Sequence, residues 1–159
     1  MTNRTLVFDM DGTIANLYGV ENWLADLRAY NPRPYEVATP MYDMDTLASI
    51  LGLLRTKGWK VVVTSWLSME STLEYDKMVC KAKREWLKRY NFPCDEIHLV
   101  DYGTPKAKCT AHLGGYQILV DDNAEVRKEW ESNPNRFSID ATKNIMDYLV
   151  DLVIGEFEN

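Results

Sequence analysis

Apolar positions along the chain fall into two alternating periods. Thr5-Leu6-Val7-Phe8 is a short apolar run that stops at acidic residues and a glycine, the pattern of a buried strand entering a tight turn. Lys60-Val61-Val62-Val63-Thr64 is β-branched throughout, as strands covered on both faces of a parallel sheet are. Glu96-Ile97-His98-Leu99-Val100 and Tyr116-Gln117-Ile118-Leu119-Val120 repeat that signal, and Arg136 to Ile139 gives a weaker one.

Between these runs the period lengthens to that of a helix. Leu47, Ile50, Leu51 and Leu54 recur at helical spacing after Asp45, and Lys57-Gly58 closes that segment. Glu74 to Tyr90 reads as a charged amphipathic helix with Met78, Ala82, Trp86 and Leu87 inward. Pro105 opens a further helix that Gly114-Gly115 stops; others are expected over Ala124 to Trp130 and Ile145 to Glu156. The segment from about 15 to 44 breaks the rhythm. Pro32, Pro34 and Pro40 interrupt it, Tyr18, Trp23, Tyr30, Tyr35 and Tyr42 crowd it, and one short helix near Glu21 to Tyr30 is expected. We read it as an insert outside the sheet of a single α/β domain spanning 1–159.

Strict alternation of strand and helix implies a three-layer α/β/α, Rossmann-like parallel sheet with right-handed crossovers. Sites in such sheets lie beyond the carboxyl ends of the strands. The first strand ends at Asp9 and Asp11, the second at Thr64 and Ser65, and the fourth at Asp121 and Asp122; Lys106 and Lys108 follow the third. Four carboxylates on one edge repel one another unless a cation joins them, and an all-oxygen donor set suits Mg²⁺. Each piece alone is ordinary: an Asp-x-Asp-Gly turn, a loop hydroxyl, an Asn helix cap, a surface lysine. Their convergence is not.

Composition narrows the partners. The chain has 159 residues, net charge -6 and 46% hydrophobic residues, enough for a packed core. The acidic balance argues weakly against wide nucleic-acid binding, though not against a small phosphate ester, which a single metal ion and one lysine can hold. Lys77, Lys81, Lys83, Arg84, Lys88 and Arg89 are interleaved with Glu74, Asp76 and Glu85, which reads as a solvated helix face. Cys80, Cys94 and Cys109 lack paired spacing and are expected as reduced thiols. With only His98 and His112 as imidazoles, no zinc site is expected. Met1-Thr2-Asn3-Arg4 leads straight into a strand and no apolar run approaches membrane length, so a soluble, cytoplasmic protein without membrane partners is expected.

Val7-Phe8-Asp9-Met10-Asp11-Gly12-Thr13 resembles motif I of the haloacid dehalogenase (HAD) superfamily. Val62-Val63-Thr64-Ser65 resembles motif II, Lys106 the motif III lysine, and Leu119-Val120-Asp121-Asp122-Asn123 motif IV. Thr64-Ser65 and the Asp-Asp-Asn ending are similar to the compact 5'-nucleotidase-like and phage-type branches. Response-regulator receivers carry similar residues, but their lone acceptor aspartate precedes the hydroxyl, with the lysine after both; here acidic pairs bracket both.

The resemblance implies a HAD-like fold with a minimal cap after motif I. It also implies a Mg²⁺-dependent phosphomonoester hydrolase using an aspartyl-phosphate. Asp9 would be the nucleophile, Asp11 the acid and base, and Thr64 and Lys106 would hold phosphoryl charge. Thr13, Ser65, Trp66 and Lys108 would meet substrate. Asp9, the Asp11 carbonyl, Asp121 and Asp122 would supply metal ligands. Lys106 is favoured over Lys108 for motif III, and Asp122 over Asp121 for the metal. The expected partner is a small phosphorylated substrate, with nucleoside monophosphates one class. A macromolecular phosphate end and a non-catalytic binding module are the competing expectations.

Overall fold

The computed structural model describes residues 2–158. Five strands form one parallel sheet: β1 (Arg4–Phe8), β4 (Trp59–Trp66), β5 (Glu96–Val100), β6 (Tyr116–Asp121) and β7 (Arg136–Asp140), in the order β5-β4-β1-β6-β7. The nucleophile candidate therefore leaves the central strand, between the strands carrying Thr64 and Asp121. In register, Phe8 lies beside Val63 on one side and Val120 on the other.

Helices cover both faces. Leu6, Phe8, Val61 and Val63 point to one face. There they meet Leu47, Leu51 and Leu54 of α3 (Met44–Thr56), Trp86 and Leu87 of α4 (Leu73–Arg89), and Ile145 and Leu149 of α7 (Ile145–Glu158). Val7, Val62 and Leu119 point to the other face, against Val126 and Trp130 of α6 (Ala124–Glu131), with Ala107 of α5 (Lys106–Cys109) alongside. Burying each large apolar side chain contributes roughly 1.5–3 kcal/mol, before the entropy of ordering the chain is set against it.

The helix starts are set by capping side chains. Asp43 accepts from the Thr46 amide, Thr72 from that of Tyr75, and Asn123 from those of Glu125 and Val126. Asn123 thus turns the chain from β6 into α6 immediately behind the acidic pair.

Two expectations on α4 fail. Met78 is exposed, and the inward stripe runs through Tyr75, Val79, Ala82, Lys83, Trp86 and Leu87. Steps of four from Met78 through Ala82 to Trp86 drift away from the 3.6-residue turn, so the expected phase is misplaced at its first member. Lys83, expected on a solvated face, is fully buried. The helix expected between Pro105 and Gly114 is also interrupted, as α5 followed by a 3₁₀ turn over Ala111–Leu113.

The segment after β1 is small and ordered. Strands β2 (Ala15–Asn16) and β3 (Thr39–Pro40) pair antiparallel at its base and enclose a 3₁₀ turn (Leu17–Gly19), α1 (Trp23–Arg28) and α2 (Arg33–Val37). Tyr35, Leu17, Leu67, Tyr75, Val79 and Ala82 form a small core that seats it on α4, and the Trp86 indole donates to the Ala38 carbonyl at 2.7 Å. Among the described residues no helix is long and apolar enough to cross a membrane.

Candidate active site

The turn after β1 brings two carboxylates out on opposite sides. The Asp9 amide still donates to the Val120 carbonyl at 2.9 Å, so Asp9 continues the ladder and faces α5. The chain then folds back, with the Gly12 amide on the Ala15 carbonyl and those of Thr13 and Ile14 on the Met10 carbonyl. Gly12 has φ +78°, and a Cβ there would stand 2.5 Å from Asp122 Oδ2. Only glycine lets the turn close against motif IV.

Asp9 sits in a ring of charge. Lys106, first residue of α5, is buried, and its Nζ donates to Asp9 Oδ1 at 2.9 Å and Asp121 Oδ2 at 2.7 Å. Thr13 Oγ1 lies 3.0 Å from Asp9 Oδ2 and 3.2 Å from Asp122 Oδ1. Asp121 uses its other oxygen to accept from the Asn123 amide at 2.9 Å. One carboxylate oxygen from each of Asp9, Asp121 and Asp122 lies within 4.8 Å of the others.

Asp11 turns the other way, to Lys83 of α4. Lys83 Nζ donates to Asp11 Oδ2 at 2.8 Å, to Ser65 Oγ at 2.7 Å and to the Trp66 carbonyl at 2.9 Å. All three ammonium donors are satisfied in a fully enclosed position.

The protonation equilibria reflect this crowding. Burial, then the charge of Asp9, pushes Asp121 up to about 6 despite Lys106, and pushes Asp122 up to about 7. Burial likewise raises Asp11, against the pull of Lys83. Burial alone would lower Lys106, but Asp9 and Asp121 outweigh it and hold the ammonium charged.

A cleft of about 570 Å³ opens over these groups, between the insert and the sheet edge. Asp9, Asp11, Lys106, Asp121 and Asp122 form its floor; Tyr18, Trp23, Tyr30, Tyr35, Trp66, Tyr75 and Tyr102 supply aromatic walls. Trp66 is fixed by its indole N–H on the Thr104 carbonyl at 2.8 Å and packs against Tyr102.

No protein-family model matches the sequence, and no curated protein matches it. Solved structures do. A protein of Mesorhizobium loti described as a HAD-like phosphatase superposes with a TM-score of 0.59 at 13% identity, covering 98% of this chain and 86% of its own. The HAD domain of the effector protein Lem4 from Legionella pneumophila gives 0.50 at 13% identity, over 96% and 94%. The fold is HAD-like.

On this HAD-like frame the sequence-derived site residues separate into groups. Asp9, Asp11, Lys106, Asp121, Asp122 and Trp66 line the cleft. Thr64 is fully buried beneath it, and its Oγ1 has no hydrogen-bond partner among the described residues. Three expected substrate contacts sit elsewhere. Thr13 is buried and serves the carboxylates; Ser65 is buried on the opposite side of β4 and accepts from Lys83. Lys108 is exposed outside the cleft, because two residues along a helix is about 200° of rotation from Lys106. The aromatics that crowd the insert divide as well: Tyr18, Trp23, Tyr30 and Tyr35 reach the cleft, whereas Tyr42 packs on the main core.

The donor set fits a hard divalent cation. Four carboxylates face two ammonium groups, Lys106 and Lys83, which leaves a surplus of two negative charges. Asp121 and Asp122 resist ionisation without a further cation, and all three carboxylates of the cluster offer oxygen.

Proposed function

We propose that this protein is a Mg²⁺-dependent phosphomonoester hydrolase that forms an aspartyl-phosphate on Asp9. The observation that carries this reading is the segregation of the two motif I carboxylates. Asp9 shares a cation-demanding cluster with Asp121 and Asp122, while Asp11, on the same cleft floor, is turned away from that cluster and held by its own lysine.

In this mechanism Asp9 attacks phosphorus as the ester P–O bond breaks, and Asp11 gives its proton to the departing alcohol oxygen. Water then attacks the phosphorus of the aspartyl-phosphate. Asp11 takes the proton, and inorganic phosphate leaves with Asp9 restored. Lys106 offsets charge on Asp9 and the transferring group throughout. Thr64, which the family resemblance assigns to phosphate binding, lies buried beneath the cleft floor with its hydroxyl unpartnered among the described residues, and would have to turn toward the cleft to donate to a phosphate oxygen.

Asp9 and Asp122, with the Asp11 carbonyl that the family resemblance adds, would hold Mg²⁺. Asp121 already commits one oxygen to Lys106 and the other to the Asn123 amide, whereas Asp122 leans on Asp9, so Asp122 is the better direct ligand. Bound Mg²⁺ would screen the negative charge of the nucleophile and the phosphoryl oxygens.

The cleft supports a small ester. Its volume lies within the roughly 300–1,000 Å³ usual for small-molecule sites, and a wall of tyrosines and tryptophans suits a planar group such as a nucleobase. We therefore favour nucleoside monophosphates. Phosphate release should be measured with and without Mg²⁺ across nucleotides, sugar phosphates, and oligonucleotides phosphorylated at either end. Mg²⁺-dependent turnover, best on mononucleotides, is expected. Preference for oligonucleotides would favour a macromolecular end, and no turnover on any ester by folded protein would leave a binding module.

A further inference from the structure

We infer that Glu96, His98 and His112 form a second metal site, built for a zinc-class ion and separate from the acidic cluster. Two histidines are too few for the sequence to predict zinc, but against that expectation the fold brings both to one carboxylate oxygen, and Glu96 supplies a third donor. Glu96 and His98 alternate on β5 and therefore project from the same face of the edge strand. His112 arrives from the 3₁₀ turn that follows α5. The Nε2 atoms of His98 and His112 stand 2.9 and 2.8 Å from Glu96 Oε1, and the ring centroids are 5.9 Å apart.

The chemistry of the three donors selects the ion. Two imidazole nitrogens and one carboxylate oxygen suit Zn²⁺, and Ni²⁺ and Cu²⁺ as competitors, rather than Mg²⁺, which seeks oxygen alone. Ligand atoms at about 2.0–2.2 Å from a tetrahedral Zn²⁺ lie somewhat over 3 Å from one another. The three atoms here already fall within 4.8 Å, so small side-chain rotations complete the set. Without an ion both rings must donate an N–H to the same oxygen. With one, both turn a lone pair inward and keep the proton on Nδ1. The ligands are part-exposed, from 27% for His98 to 53% for His112, which leaves a fourth position open to water. None of the three lines the cleft.

The consequence is mechanical. The ion would pin the turn after α5 to edge strand β5, and α5 begins with Lys106. It thus clamps the segment that presents the cation of the acidic cluster, without touching substrate.

The test uses the full chain stripped of metal and kept in excess Mg²⁺, so that the acidic cluster is served by its own ion. Titration with Zn²⁺ should raise the melting temperature. Titration with Co²⁺ should give the intense visible absorption of a tetrahedral nitrogen–oxygen site, at one equivalent. His112→Ala should weaken both responses by at least the roughly tenfold that losing a supporting group at a metal site costs. Asp122→Asn should leave them in place. Wild-type protein without that Co²⁺ spectrum overturns the inference, whatever the variants do. So does a spectrum that survives His98→Ala and His112→Ala but disappears in Asp122→Asn, which would place the ion in the acidic cluster.

Discussion

Lys106 and Lys83 are both enclosed lysines bound to a motif I carboxylate, yet they reach it from opposite faces of the sheet. Lys106 starts a four-residue helix and spans Asp9 and Asp121, so it lies between two carboxylates that repel each other. Lys83 sits mid-way along α4 and joins Asp11 to Ser65 and to the Trp66 carbonyl. One neutralises a crowd; the other fixes a single group. Even with Lys106 present, Asp121 and Asp122 titrate well above an ordinary carboxylate. The Asp9 side is therefore unfinished without a further cation, whereas the Lys83–Asp11–Ser65 linkage is already closed.

Substitutions on the two sides should fail differently. Lys106→Met should have the largest effect: loss of phosphate release by about 10³-fold, the usual scale for removing a group that stabilises transition-state charge. It should also destabilise the fold by about 3 kcal/mol in a denaturant melt, as breaking a buried pair does. Lys83→Met should cost about 10²-fold, and the loss should depend on the leaving group. An alkyl phosphate, whose departing oxygen needs a proton, should lose more than p-nitrophenyl phosphate. Equal losses on both esters would mean that Lys83 supports the fold and not Asp11. Asp122→Asn should raise the stability of the metal-free protein by on the order of 1 kcal/mol, roughly 2–4 °C in melting temperature at this size, because a crowded carboxylate is removed. The same variant should lose most of the stabilisation that Mg²⁺ gives the wild type. Lys108→Ala should change stability by less than about 0.5 kcal/mol and leave KM unaltered, setting the exposed lysine apart from both buried ones.

The asymmetry also separates what the sequence pattern reveals from what only packing decides. All five sheet strands are legible as short apolar runs: four stop at an aspartate (Asp9, Asp101, Asp121, Asp140), β4 stands out by its β-branched run, and β7 is the weakest of the five. Asp9, Asp11, Asp121 and Asp122 were legible because the strand period places them at carboxyl ends, and Lys106 because Pro105 marks its helix start. Lys83 was hidden among Lys81, Arg84 and Lys88, where composition alone says solvent. The available signal was phase: Lys83 follows Val79 by four positions and precedes Trp86 by three, so it lies on the buried stripe. The family resemblance implies substrate contact for Thr13 and Ser65, but a hydroxyl beside a motif can face the ligand or the charged groups behind it. Only packing decides which. The meeting of His98 with His112 depends on the interruption between α5 and the 3₁₀ turn, which no periodicity announces.

The central claim concerns Asp9, and acid-quenched turnover tests it most directly. Protein mixed with a good phosphate ester and Mg²⁺, quenched in acid within the first turnover and digested, should carry phosphate on the peptide containing Asp9. The adduct should be stable in acid and lost in mild base, and Asp9→Asn should show neither adduct nor turnover. Steady turnover with that peptide unmodified, or full activity in Asp9→Asn, would contradict the account.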